Sequence, residues 1–301
     1  MQWPEAEYGL SELDLRQMLN DQFPQYDHAT LVPLNEGFDN VLWRLGDDLI
    51  IRLARRAISV PLLEQEILWL PRLGPQLPID VPIPVHVGAP CELFPLPWVI
   101  VPWFEGVAGD EIEQPSSVAV AHQLGAFLRA LHQPAPPDAP ENPWRGVRLG
   151  ERGTTFEERM RFVLDQDKLV DESTLRRVWA SALDARPLVG PRAWIHGDLH
   201  PANLIFADGG LRAVVDFGDF CAGDPATDLA GAWMLLAPEA LDPFLHGYGN
   251  DEPNLVRRAL GWATLFGLMF VQLGAEGRIG YERIGRRALE NVALFSAKLD
   301  A

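Results

Sequence analysis

Lysine is nearly absent. Of 25 basic residues only Lys168 and Lys298 are lysines, so almost every positive charge is a guanidinium. Cysteine is scarce too: Cys91 and Cys221 cannot build a disulfide framework, which points to a reducing compartment. No apolar run reaches the roughly 18–20 residues needed to cross a bilayer. The longest candidate, "ALGWATLFGLMFVQLG" at 259–274, follows directly on Arg257 and Arg258 and reads as a buried helix. The opening "MQWPEAEYGL" has neither a basic n-region nor an apolar h-region, so no signal peptide and a cytoplasmic location are expected. Positive charge is in deficit, with 42 acids against 25 bases and a net charge of −17. That argues against a nucleic-acid binder, which needs a basic face. There is no internal repeat and no low-complexity tail.

What is present suits a globular protein of two domains: 301 residues, 48% hydrophobic and 22% charged. "SELDLRQMLNDQF" predicts a helix capped by Ser11, with Asp14 at its third position and Leu15, Met18 and Leu19 at helical spacing. The segments 41–45 and 49–53 predict a hairpin around Gly46-Asp47-Asp48. "LLEQEILWL" predicts a short helix broken near Pro71. "VPIPVHVG" and "PWVIVPWFEG" predict extended segments that proline confines to edges or strand ends. Beyond Ser116 or Ser117, which would cap a helix over "VAVAHQLGAFLRALHQ", the texture is helical. The one clear β interruption is "LIFADGGLRAVVDF", a hairpin turning at 208–210. The expected division is a β-rich domain over 1–103 and a mostly helical one over 104–301.

The densest chemistry lies in "WIHGDLHPANLIF", residues 194–206, where His196, Asp198, His200 and Asn203 crowd one loop. Asp198, four intervening residues and Asn203 reproduce the spacing of a protein-kinase catalytic loop, with His196 two before the Asp. The following hairpin delivers a second acid in Asp216-Phe217-Gly218. Phosphoryl transfer needs a carboxylate to orient the attacking hydroxyl and hard oxygen ligands for a divalent cation on the nucleotide phosphates. Asp198 suits the first task, Asn203 and Asp216 the second.

Together with "VVDFGDFCAGDPATDLA", "LNEGFDNVLWRL" and "LLEQEILWLPRLGPQLPIDVPIPVHVG", these motifs resemble the aminoglycoside phosphotransferase and choline kinase-like family of small-molecule kinases. The resemblance implies an α+β, bilobal protein-kinase-like fold and transfer of the γ-phosphate of ATP or GTP to a hydroxyl. It makes Asp198 the catalytic base and Asn203 and Asp216 the Mg²⁺ ligands. Gly37 is the sole glycine where protein kinases carry G-x-G-x-x-G. The third-strand lysine is missing, so Arg52 would carry its charge, paired with Glu66, or else with Glu64. The Val101 carbonyl and the Trp103 N–H would meet the base, because Pro102 has no N–H. An aminoglycoside acceptor, and hence a role in antibiotic resistance, leads; a macrolide, choline or an amino sugar follows. The acidic balance hints at a cationic acceptor, although acids that simply keep the surface solvated account for it as well, and neither a membrane nor a nucleic acid is an expected partner. Nothing in the sequence speaks to oligomeric state.

Other readings compete. His196, Asp198 and His200 at alternate positions could form a metallohydrolase cluster, but the other histidines show no matching spacing and Asn203 and Asp216 go unexplained. A nucleotide-binding pseudokinase is argued against by the intact Asp198, Asn203 and Asp216. His196 is expected to orient the loop, and His200 either to meet substrate or to pack. Asp224 and Asp228 read as helix caps, with Asp228 bracing the loop. Asp219 reads as a solvated loop acid.

Overall fold

The computed structural model describes all residues except 1–4, 35–39, 114, 116, 167–170, 250–251, 279 and 300–301. Gly37 and the alternative cap Ser116 therefore lie outside the described residues. The chain divides into two compact units, residues 2–76 with 80–105, and residues 77–79 with 106–301.

The first unit is built on a five-stranded antiparallel sheet of β1 (Leu31–Pro33), β2 (Asn40–Leu45), β3 (Leu49–Ala54), β4 (His86–Gly88) and β5 (Trp98–Pro102), in the order β1-β2-β3-β5-β4. The β2–β3 hairpin pairs Leu45 with Leu49, and Gly46 takes the left-handed φ of +60° that starts the turn. Helix α1 (Glu12–Gln22) begins with a reciprocal Ser11–Asp14 capping box. It buries Leu15, Met18 and Leu19 in a core shared with Ile51, Trp98 and Ile100. Helix α2 (Val60–Leu73) corrects one expectation, because it runs through Pro71. So late in a helix, Pro71 removes only its own bond to the carbonyl four residues back. The Gly74 N–H still closes on the Leu70 carbonyl. Leu63, Trp69 and Leu70 hold the helix down by burial. β5 is also an interior strand, with Pro102 at its end where no ladder bond is lost.

The second unit is mostly helical. It contains α3 (Val118–Leu131), α4 (Gly153–Gln166), α5 (Glu172–Asp184), the short α6 (Ala226–Leu229) and α7 (Gly231–Leu235), α8 (Leu241–Tyr248), α9 (Pro253–Ala275) and α10 (Tyr281–Leu299). α9 carries the long apolar run and is its central element, packed against α4, α5, α6 and α10. No helix among the described residues is long and apolar enough to cross a membrane. The expected hairpin is present as β8 (Leu204–Ala207) and β9 (Gly210–Val214). It is not alone. β6 (Val107–Ala108) pairs with β8, and β7 (Ala193–Ile195) pairs with β10 (Cys221–Gly223). Strands of two or three residues are too short for an alternating pattern, so only pairing reveals them.

Candidate active site

The loop between β7 and β8 is held from behind. Asp228, fully buried at the start of the α6–α7 segment, accepts from the backbone N–H of His196 at 2.6 Å and of Gly197 at 2.9 Å. Its carboxylate also lies 3.1 Å from His132 Nε2, whose Nδ1 is 2.9 Å from the Tyr248 hydroxyl. With Nε2–H donating to Asp228, Nδ1 is left to accept from the tyrosine. Gly197 has φ +82°, and a Cβ there would collide with the Asp219 carbonyl oxygen. Only glycine fits this backbone.

His196 is a positioning group, fully buried, with its ring against Phe217. Its Nε2 lies 3.0 Å from the Val215 carbonyl, and its Nδ1 accepts from the Asp198 N–H at 3.3 Å. Both bonds are satisfied by one neutral tautomer. Asn203 Nδ2 donates to the Asp198 carbonyl at 2.9 Å. The Asn203 carbonyl accepts from the Val215 N–H at 2.9 Å, and Leu204 pairs with Val214. The hairpin register therefore brings Asn203 opposite Val215, with Asp216 the next residue along. Asp216 is exposed and takes φ +63°, unusual for a residue with a side chain. Among the described residues its carboxylate has no hydrogen bond or ion pair.

Asp198 keeps 28% of its side chain exposed. Burial alone would raise its pKa; the Arg145 guanidinium, donating from Nη2 to Oδ1 at 2.7 Å, and then the His200 and His196 rings together outweigh this and hold the carboxyl well below its usual range. His200 Nε2 lies 3.4 Å from Oδ2, and the His200 ring packs on Phe270. His200 thus both packs and faces the acid.

Asp219 is not a freely solvated acid. It accepts from Asn142 Nδ2 at 2.8 Å and lies 3.8 Å from Arg145 Nε. Burial, with the neighbouring Asp198 charge, raises its pKa. The sequence singles out neither Asn142, which lies in "PAPPDAPENPW", a stretch that reads as plain loop, nor Arg145, which follows it directly. No periodicity marks them, and their partners lie more than fifty residues away. Asp224 takes Arg258 as a partner at 2.6 Å and accepts from the Ala226 N–H at 3.1 Å, a capping contact.

In the first unit Arg52 and Glu66 form a buried two-pronged ion pair at 2.7 and 2.9 Å. Glu64 is exposed. Val101 lies opposite Ile50 in the β3–β5 ladder. The Trp103 N–H, expected to meet a nucleotide base, donates instead to the Asp48 carbonyl at 2.7 Å, because the ladder continues one residue past Pro102.

Among the described residues no group of three or more His, Cys, Asp or Glu side chains is arranged to hold a metal by itself. An aminoglycoside 3'-phosphotransferase from Escherichia coli is 27% identical over 139 residues, 45% of this chain and 51% of that protein. A homoserine kinase from Gluconacetobacter diazotrophicus is 29% identical over 180 residues, 50% of this chain and 53% of that protein. The chain thus spans about half the length of these curated relatives. The solved structure of an aminoglycoside 2'-phosphotransferase-IIIa in complex with GDP superposes with a TM-score of 0.68 at 21% identity. It covers 95% of this chain and all of the other, and shows a shared fold. A family profile described as "Phosphotransferase enzyme family" matches residues 30–260. The chain belongs to that family.

Proposed function

We propose that this protein transfers the γ-phosphate of ATP or GTP to a hydroxyl of a small molecule. The observation that carries this reading is the loop-and-hairpin geometry: Asp228 anchors the backbone before Asp198, and the β8–β9 register draws Asn203 and Asp216 together. Asp198, kept ionised by Arg145, would orient the acceptor hydroxyl and receive its proton. The acceptor oxygen bonds to the γ-phosphorus, the bond to the bridging β–γ oxygen breaks, and the nucleoside diphosphate departs with that electron pair. The proton passes from Asp198 to solvent.

The donor set suits Mg²⁺. Asn203 spends its Nδ2 on the Asp198 carbonyl, leaving its Oδ1 for a cation. Asp216 supplies an unpaired carboxylate on a backbone held at positive φ, the kind of strain that marks functional positions. Both are hard oxygen ligands, and two protein ligands plus phosphates and water is how Mg²⁺ is commonly held. When bound, the ion would neutralise charge on the phosphates. Arg52, held by Glu66 through both Nη atoms, would set its fixed positive charge against phosphate oxygens. The short interval from Asp216 to α6 leaves no room for a long activation loop, which favours a small acceptor over a protein.

The relatives' names carry two acceptor chemistries, polycationic aminoglycosides and an amino acid with a carboxylate. The aminoglycoside expectation rests on those names and on overall charge, and the groups around Asp198 bear on it directly below. The test is acceptor-dependent nucleotide consumption by the purified protein with Mg²⁺ and ATP or GTP, across aminoglycosides, macrolides, choline, amino sugars and hydroxy acids. Consumption that no acceptor stimulates would remove the reading.

A further inference from the structure

The whole chain is acidic, yet the group paired with Asp198 is an arginine, and two further arginines lie within electrostatic reach of it. Arg145 lies over the Phe266 ring, 5.0 Å from its centre, with its Nη2 on Asp198. Arg152 lies 5.1 Å over the Trp144 ring. It ends the 3₁₀ turn Leu149–Arg152, which runs directly into α4. Arg159, seven residues on, is about two helical turns away and so on the same face. The three are close enough to repel one another. Burial, then Arg145, lowers the pKa of Arg152. Burial, then Arg145 and Arg152, lowers that of Arg159 to about 10.

The acids nearby do not neutralise this cluster. Glu157 is drawn away to Arg176 at 2.8 Å. Glu158 and Glu276 act on Arg159 through their charge, and less strongly than burial, Arg145 and Arg152. Of the three arginines, Asp198 and Asp219 pair only with Arg145. Among the described residues, Arg152 and Arg159 have no carboxylate within ion-pair distance. The Nε atoms of Arg145 and Arg152 are buried without a hydrogen-bond acceptor. A protein with 42 acids has left two half-buried guanidinium groups unpaired on one helix face. Buried donors left this way are costly unless something else accepts from them.

We infer that Arg152 and Arg159 form an oxyanion-binding subsite for the acceptor, which carries a carboxylate or a phosphate as well as the hydroxyl that reacts. The planar fork of arginine matches both groups, and the Trp144 ring fixes one of the two in place. This reverses the cationic acceptor expected from net charge. Net charge describes the whole surface, and the field at a site is set within about 8 Å by the groups there. The inference rests on the phosphotransfer reading, within which it selects the substrate class.

The test uses the 301-residue chain with Mg²⁺ and ATP or GTP. Its acceptors are glycerate, L-homoserine and glycerol 3-phosphate, against neutral glycerol and the cations choline and kanamycin. The expected result is that kcat/KM is highest for an oxyanion, with the hydroxy acids and the phosphate ester telling carboxylate from phosphate. The double variant Arg152→Gln/Arg159→Gln should raise KM for that acceptor at least tenfold, whereas Arg176→Gln, at a half-buried arginine on α5 paired with Glu157 and Glu172, should not. Equal or better turnover of choline or kanamycin, or a double variant with unchanged KM, overturns the inference and leaves phosphotransfer standing. Were no acceptor to drive nucleotide consumption, phosphotransfer would fail separately, and calorimetry with glycerate and glycerol 3-phosphate would decide the subsite. Binding lost in the double variant supports it; absent or unaffected binding overturns it.

Discussion

Arg145 and Asp198 stand 53 positions apart in the chain and 2.7 Å apart in the fold. One carboxylate oxygen of Asp198 is occupied by the guanidinium, and the other faces His200 at 3.4 Å. A hydroxyl approaching this acid therefore meets a carboxylate already ionised and oriented. Asp198→Asn keeps the shape and removes the basicity. Turnover should fall on the order of 10²–10⁴-fold while nucleotide affinity holds. Near-normal turnover in single-turnover kinetics would assign the proton to another group.

Asn203→Ala and Asp216→Ala should each weaken Mg²⁺-dependent nucleotide binding. Asp216 should matter more, since it contributes a charge and Asn203 only a carbonyl dipole. Titrating Mg²⁺ at fixed nucleotide gives the comparison directly. Better support of activity by zinc than by magnesium would return attention to the hydrolase reading.

The Arg52–Glu66 pair separates stability from function. Glu66→Ala leaves a buried guanidinium without its two-pronged partner and should cost about 3–5 kcal/mol, read as a fall in the denaturant midpoint. Replacing both, Arg52→Met with Glu66→Leu, should recover much of that stability. Nucleotide affinity should stay low in the double variant. Full affinity there would mean that Arg52 serves packing alone.

Asp228 satisfies two backbone N–H groups and one imidazole with a single buried carboxylate. Asp228→Ala should orphan all three donors, at about 1–3 kcal/mol for each group left unsatisfied. The melting temperature and kcat should fall together, because the loop carrying Asp198 loses its anchor. A variant with unchanged kcat would show that the loop holds its shape without that brace.

The two cysteines should differ in reactivity. Burial, with Asp228 and Asp219 nearby, pushes the Cys221 thiol up to about 12, so it stays protonated and inert. Cys91 is only half-buried. Alkylation of the native protein at pH 8, followed by intact mass, should add one group, at Cys91. A second addition should appear only on unfolding.

Much of this was legible in one dimension because it depends on short-range spacing. Ser11 and Asp14 cap α1 across three residues, and the turns at Gly46 and Asp208-Gly209 each sit between two apolar runs. The run at 259–274 is buried as α9 for the reason its flanking arginines suggested. Where local rules failed, packing overrode them. α2 continues through Pro71 because its buried face outweighs one missing hydrogen bond, and the strands β6, β7 and β10 exist only through their partners.

By itself the sequence determined which oxygen and nitrogen groups would be available, and in what order, because Asp198, Asn203 and Asp216 are linked by one loop and one hairpin. Only the tertiary structure decided what surrounds them. It brought Arg145 and Asn142 out of a proline-rich loop, set Asp228 beneath the backbone of His196 and Gly197, engaged the Trp103 N–H within the sheet, and aligned Arg152 and Arg159 without acid partners. Contacts between distant residues arise from helices and strands burying apolar faces against one another. That packing leaves no spacing in the chain by which a polar partner fifty residues away could be read.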